Sequence, residues 1–327
     1  MQTLKKLFSI LVISIFASTA LAACSSQQPE KNEVTVAVHD SVVISDELLN
    51  EFKTQSGITV KLVRAGDAGA MTNKLILTKE QPIADAVYGI DNTFAGLAAA
   101  NGIIDGKLTA ISYGDVCMNY DRLWFSQREQ AAPENIRDLI KPEFNGLTVV
   151  QNPNTSSSGL AFLAATVAVF GEDGFKSYWQ QLKKNNVKVT AGWEDAYFGD
   201  FSGSSGKGNY PIVLSYSSSP AAEVREDGLS QTVALLDSCY RQTEYAGVLS
   251  KAKNKDAADK FVKFLLSKQF QASLPESMYV YPIDKSVALP EAWQEFAPVT
   301  SSPVGADLNL NANREFWLKT WSDIFAG

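Results

Sequence analysis

Apolar residues recur along this chain with two periods, one of two and one near four, and the periods take turns. Val34-Thr35-Val36-Ala37-Val38 alternates and is rich in β-branched residues, the pattern of a strand. Residues 46–53 follow with Leu48, Leu49 and Phe52 at helical spacing and the turn residue Gly57 behind them. Residues 58–63 read as strand, 71–78 as helix and 84–88 as strand, which spells β-α-β-α-β. Such alternation predicts a mostly parallel sheet covered by helices. Further on, 146–151 reads as strand, 159–170 and 175–184 as helices and 187–190 as strand. Residues 212–216 form a buried strand pattern, 257–266 an amphipathic helix with Phe261, Phe264 and Leu265 on one face, and 315–325 a final aromatic helix. No internal repeat is present.

The loops after these strands carry the candidate chemistry. His39-Asp40-Ser41 follows the first strand, Ala65-Gly66-Asp67 the second and Gly89-Ile90-Asp91-Asn92 the third. Gln151 to Ser158 follows the fourth, and Ser217-Ser218-Ser219-Pro220 the strand ending at Tyr216. Open α/β sheets bind ligands outside the carboxyl ends of their strands, so two α/β lobes with a ligand between them are expected. Asp67, Asp91 and the pair Ser156 and Ser157 suit either helix capping or ligand contact, and the two roles are compatible. Trp193 is followed by Glu194 and Asp195, unusual company for a core tryptophan, and suits stacking against a flat ligand.

The N-terminus changes the picture from a free domain to an exported one. Lys5 and Lys6 precede an apolar run over 7–16, then small residues and Leu21-Ala22-Ala23-Cys24. That order is a secretory signal over 1–23 with a lipobox, predicting cleavage before Cys24 and lipid (palmitate among the acyl groups) on its new N-terminus. Residues 24–32 then form the lipidated end and a polar tether that cannot bury a core. Loss of Lys5 and Lys6 makes the remaining chain two charges more negative than the −7 of the whole. An acidic surface argues against nucleic acid as a partner. About 300 mature residues exceed what one core usually serves, so two lobes are again expected. Cys117 and Cys239 are free buried thiols or a disulfide, which persists outside the cytoplasm.

Catalytic and metal motifs are sparse. His39 is the only histidine, so a multi-histidine metal site is excluded and one imidazole base at most is available. Neither a Gly-x-Ser-x-Gly elbow nor a phosphate-binding Gly-x-x-x-x-Gly-Lys-Ser/Thr loop occurs. A carboxylate-pair hydrolase is compatible with composition, but no pair stands out. The expectation is a binding protein, not an enzyme, with neither cofactor nor metal.

Five ordered runs add a family. Tyr88-Gly-Ile-Asp-Asn92, Gln151-Asn-Pro-Asn-Thr-Ser156, Lys188-Val-Thr-Ala-Gly-Trp-Glu-Asp-Ala-Tyr197, Leu214-Ser-Tyr-Ser-Ser-Ser-Pro220 and Tyr281-Pro282 resemble the thiamine-binding subfamily of type 2 periplasmic solute-binding proteins of ABC importers. The resemblance implies a two-lobed α/β fold, each lobe a mixed, mostly parallel sheet flanked by helices, with the ligand in the cleft between lobes. It implies lobe 1 from 33–115 plus 243–290 and lobe 2 from 116–242 plus 291–327. It implies ligand contacts from Asp67, Ala68, Ser156, Ser157, Trp193, Tyr216, Ser217, Ser218, Ser219 and Tyr279, with His39 and Asp91 beside them. The chain would cross between lobes near 113–120 and 238–245, so Cys117 and Cys239 would lie on adjacent hinge strands and form a disulfide. The implied cargo is thiamine or a close derivative, handed by a monomer to permease subunits from a lipid anchor on the extracytoplasmic face, in the periplasm or at the cell surface. A thiamine degradation product, another organic cation or ferric iron is the alternative within the same transport class. The sequence departs from the family where His39 replaces a tyrosine, Ala222 a second tyrosine and Tyr279 a frequent tryptophan.

Overall fold

The structure, a computed structural model, describes residues 32–204 and 208–326. The expected signal peptide, the lipidation site Cys24 and all of the tether except Asn32 lie outside the described residues.

The first half begins with β1 (Glu33–Val38), α1 (Asp46–Ser56), β2 (Thr59–Arg64), α2 (Ala68–Leu77), β3 (Ala86–Asp91) and α3 (Ala95–Ala100). β1 pairs in parallel with β2 and β3, and its Val34, Val36 and Val38 are fully buried, as their alternation predicts. α1 has signals at both ends: Ser45 accepts from the Leu48 amide at 3.3 Å, and Gly57 closes the helix with φ 72°. Its Leu48 and Phe52 face the sheet, and Phe52 meets Phe261 edge-on at 5.5 Å. Phe261 is fully buried, so Phe261→Ala would cost about 3–5 kcal/mol.

Two long antiparallel strands, β4 (Thr109–Asp121) and β8 (Thr232–Val248), form the spine of the molecule. Between them in sequence lie α4 (Arg122–Ser126), β5 (Thr148–Gln151), α5 (Ser157–Lys184), β6 (Lys188–Thr190), a π-helical turn (Asp195–Asp200) and β7 (Ile212–Tyr216). After β8 come α6 (Lys255–Phe264), α7 (Lys268–Met278), β9 (Tyr281–Pro282), α8 (Glu291–Phe296) and α9 (Leu310–Ala326). α5 breaks at Gly171, whose φ of 76° and ψ of 169° are not helical, so the two helices expected from sequence meet there. Its first half is long and apolar because it runs through the core, where residues 157–167 are all buried.

One mixed sheet joins all strands in the order β2-β1-β3-β8-β4-β7-β5-β6, with β9 alongside β4. The parallel pairs lie at its two ends and the antiparallel pairs in the middle. β4 and β8 pass across the expected lobe boundaries at 115/116 and 242/243, so the two ends of the sheet are continuous through this one pair. The register slips where they cross: Val116 faces Tyr240 and Met118 faces Leu235, leaving residues 236–239 bulged opposite Cys117. Cys117 and Cys239 are bonded as a disulfide at that bulge, with Cα atoms 4.5 Å apart. The bridge ties the two spine strands to each other.

Candidate functional site

The carboxyl ends of β1, β2 and β7, the start of α5, the end of α7 and the middle of β8 face a common cleft. Its void is about 120 Å³, and its lining includes His39, Asp67, Ser157, Trp193, Tyr216, Glu244 and Tyr279. One side is charged and the other aromatic.

On the charged side, His39 follows β1 and its ring lies against Gly89. Gly89 has φ 111°, and a Cβ there would stand 2.2 Å from His39 Cδ2, so only glycine leaves room for the imidazole. His39 Nε2 lies 2.8 Å from Glu244 Oε1, and Ser112 Oγ donates to the other Glu244 oxygen at 3.2 Å. Burial by itself lowers the His39 pKa, but the Glu244 hydrogen bond and the charges of Glu244, Asp67 and Asp40 outweigh it and leave the pKa raised.

Asp67 joins segments distant in sequence. It N-caps α2 by accepting from the Ala68 amide at 2.6 Å. The same carboxylate accepts from the amide of Ser157, at the start of α5, at 3.3 Å and from the amide of Trp193 at 2.9 Å. A carboxylate at two helix starts is favoured by the dipoles there, but burial dominates and raises its pKa against the opposing pull of His39 and these donors. Gly69 permits the approach, since a Cβ on it would stand 2.7 Å from the Thr155 carbonyl oxygen, which accepts from the Ala70 amide at 2.9 Å.

The aromatic side is built on Trp193. Its ring stacks on Tyr197 at 4.8 Å and 13°, and Nε1 donates to Ser215 Oγ at 3.0 Å, so its orientation is set from behind and from the edge. Tyr197 and Phe198 come from the π-helical turn, a geometry common at functional sites. Tyr216 and Tyr279 stand 6.2 and 6.1 Å from Trp193, both tilted. Tyr216 donates to Gln242 Oε1 at 3.0 Å, and burial pushes its pKa well up, which keeps the proton in place. Tyr279 ends α7 with φ 55°, a left-handed conformation that costs about 1–3 kcal/mol in a residue with a side chain. Ser218 Oγ donates to its carbonyl and helps hold it there.

Seven of the residues singled out from sequence line the cleft: His39, Asp67, Ala68, Ser157, Trp193, Tyr216 and Tyr279. The other five stand behind its wall. Ser156 Oγ is 3.0 Å from Ser158 Oγ, and Ser219 Oγ is 2.8 Å from Ser215 Oγ. Ser217 and Ser218 are fully buried. Asp91 caps the chain ahead of α3 by accepting from Thr93 and Phe94, and burial raises its pKa to about 6. Sequence reasoning missed Glu244, Glu194 and Phe198. Glu194 directly follows Trp193 inside a run already recognised and Phe198 comes just after that run, whereas Glu244 sits inside a long strand without any local motif. Among the described residues no group of three or more His, Cys, Asp or Glu could hold a metal ion.

The sequence model of the bacterial extracellular solute-binding protein family matches residues 81–300. The chain belongs to that family. This solute-binding protein is 26% identical to the thiamine-binding periplasmic protein of Escherichia coli K12 across 92% of its own length and 96% of the relative's. Among solved structures it is similar to a periplasmic thiamin-binding protein, with a TM-score of 0.77 and 26% identity over 89% of this chain and 96% of the other. A ferric-binding protein of Campylobacter jejuni superposes with a TM-score of 0.68 at 17% identity, covering 89% of this chain and 99% of the other. That likeness concerns the fold alone, the mixed α/β fold of type 2 periplasmic binding proteins. Family membership makes this an extracytoplasmic binding protein.

Proposed function

We propose that this solute-binding protein captures thiamine or a close derivative outside the cytoplasm and delivers it to the permease of an ABC importer. The observation that carries the reading is the pairing of stacked aromatic rings, Trp193 foremost, with the carboxylates of Asp67, Glu194 and Glu244 in one cleft. Thiamine has a flat aminopyrimidine and a permanently cationic thiazolium. A cation over an aromatic face gains about 0.5–2 kcal/mol depending on its desolvation, and a carboxylate can accept from the amino group or balance the positive ring. The similarity to thiamine-binding relatives supports the same cargo.

In this reading the residues lining the cleft are the binding residues, and those behind it hold them in position. Residues 33–115 with 243–290 and 116–242 with 291–327 act as lobes that close on the ligand by bending at β4 and β8. Asp67 then acts as a clasp, because its carboxylate in the first lobe bonds amides of Ser157 and Trp193 in the second. Cys24 carries the lipid that keeps the protein, a monomer, near the permease. Its work is capture and release, without turnover.

Titration calorimetry of the soluble domain with thiamine is the direct test, together with native mass spectrometry of the freshly purified protein for bound cargo. Saturable heat and a raised melting temperature are expected. No heat and no thermal shift at millimolar thiamine would remove the vitamin from the proposal.

A further inference from the structure

We infer that Asp91 and Gln242, buried behind the cleft, are positioning residues that fix which lining groups donate hydrogen bonds to the ligand: Ser157 keeps its hydroxyl proton for a ligand acceptor, and Tyr216 has none to give. The inference rests on the thiamine reading for its ligand and deepens it.

A carboxylate only accepts hydrogen bonds, whereas a glutamine amide donates at one end and accepts at the other. Asp91 Oδ1 accepts from the amides of Thr93 and Phe94 at 3.1 and 3.2 Å and from the Thr93 hydroxyl at 2.7 Å. The other oxygen, Oδ2, accepts from Gln242 Nε2. Both residues are buried, so water does not relieve a wrong pairing. The opposite orientation of the amide would set Gln242 Oε1 against Asp91 Oδ2, two acceptors in contact. Asp91 thus selects one orientation of Gln242.

That orientation reaches the cleft at two points. Gln242 Nε2 also donates to Ser157 Oγ at 3.0 Å, and Gln242 Oε1 accepts from the Tyr216 hydroxyl at 3.0 Å. Ser157 therefore accepts from behind, and its own proton is left to turn toward the cleft, which it lines. Tyr216 spends its proton on Gln242, and burial pushes its pKa well up, so it offers the ligand a ring and no donor. A ligand atom facing Ser157 must then be an acceptor: a hydroxyl oxygen, a ring nitrogen or a phosphate oxygen.

Asp91→Asn inverts this arrangement without removing a heavy atom. The oxygen of the asparagine keeps the Thr93 and Phe94 donors, its NH2 faces Gln242, and the glutamine amide turns over. Ser157 then donates to Gln242 Oε1, which withdraws its proton from the cleft, while Tyr216 is released as a donor. Calorimetry with thiamine and thiamine monophosphate is run well above the value of about 6 to which burial raises the Asp91 pKa. For the tighter ligand, Asp91→Asn should lose affinity about tenfold. In a Ser157→Ala background the same substitution should cost less than about threefold, because no serine proton remains to be withdrawn. A loss equally large without Ser157 is a packing defect and overturns the inference, as does unchanged affinity in Asp91→Asn.

The ligand-free protein gives a second reading that does not depend on the cargo. In heteronuclear NMR spectra the Gln242 side-chain NH2 proton bonded to the carboxylate should lie downfield in the unmodified protein and lose that shift in Asp91→Asn. A downfield shift absent from the unmodified protein, or retained in Asp91→Asn, overturns the inference. If neither ligand binds while the NMR shift behaves as expected, the thiamine reading falls and the orientation set by Asp91 stands.

Discussion

The two walls of the cleft differ in what they leave available. The charged groups of His39, Asp67 and Glu244 are already engaged with one another or with backbone amides. The Trp193 ring is held on one face by Tyr197 and at its nitrogen by Ser215, an arrangement that pre-organises it for contact. Pre-organised apolar area adds affinity without new ordering cost, whereas a charge already paired gives back part of what it gains. The aromatic wall is therefore expected to supply most of the affinity and the charged wall most of the selection.

Replacing the anchor of the aromatic wall tests that division most severely. Trp193→Ala should weaken thiamine binding about a hundredfold, or ~2–3 kcal/mol, the size expected of a central aromatic anchor. Trp193→Phe, which keeps a ring on Tyr197, should retain most of the affinity. Calorimetry checks both, with thermal melts to confirm folding, because Trp193 is itself buried. If Ala and wild type bind alike, the wall is packing and the comparison fails.

Asp67→Asn attacks the charged wall where it does structural work. An amide retains one acceptor oxygen for three amide donors and places an NH2 against at least one of them. Loss of a charge-assisted hydrogen bond is worth about 2 kcal/mol, so affinity should fall about thirtyfold, with a lower melting temperature in the absence of ligand. A variant that melts lower but binds normally would make Asp67 a clasp and not a contact.

How much of this was readable beforehand differs between the walls for a physical reason. Trp193 stood out because two acidic residues follow it, and Tyr216 because it ends an apolar strand. The parallel ends of the sheet were readable from clean periodicity, as at Val34, Val36 and Val38. β4 and β8 were placed by resemblance alone, because β4 is buried without alternation over residues 114–119 and a bulge at residues 236–239 interrupts β8. Glu244 lies on that strand, and its partner His39 is 205 residues away. A pair made only by the closing of a sheet leaves no local trace in sequence. Ser156 and Ser217 to Ser219 were conspicuous as a polar cluster, yet the chain turns them behind the wall.

Glu244→Gln isolates the hidden pair. Loss of one carboxylate should weaken thiamine about tenfold, within the range for a partly screened charge contact. It should also bring the His39 pKa down, since Glu244 supplies the largest of the forces that raise it. His39 is the only histidine, so its imidazole signals in an NMR titration are unambiguous. An unmoved His39 pKa would show that the pair is not formed in solution.

The smallest expected effect is the pH dependence of binding, and its sign follows from the same pair. Below the raised His39 pKa the imidazolium neutralises Glu244; above it the cleft carries one more net negative charge. Thiamine affinity should therefore rise severalfold as pH increases through the His39 pKa, and Asp67, whose pKa is also raised, works in the same direction as it ionises. Glu194 and Asp40, the other acids facing this corner, oppose any charge reversal. Stability of the empty protein should run the other way. A histidine whose folded pKa exceeds its unfolded value stabilises fully below the unfolded pKa, and that contribution is lost as pH rises through the folded one. Asp67 alone would give the same pair of opposed slopes, so the mark of a proton shared between His39 and Glu244 is the part of them that disappears in Glu244→Gln. Parallel slopes, or a pH response unchanged in Glu244→Gln, would place the proton elsewhere.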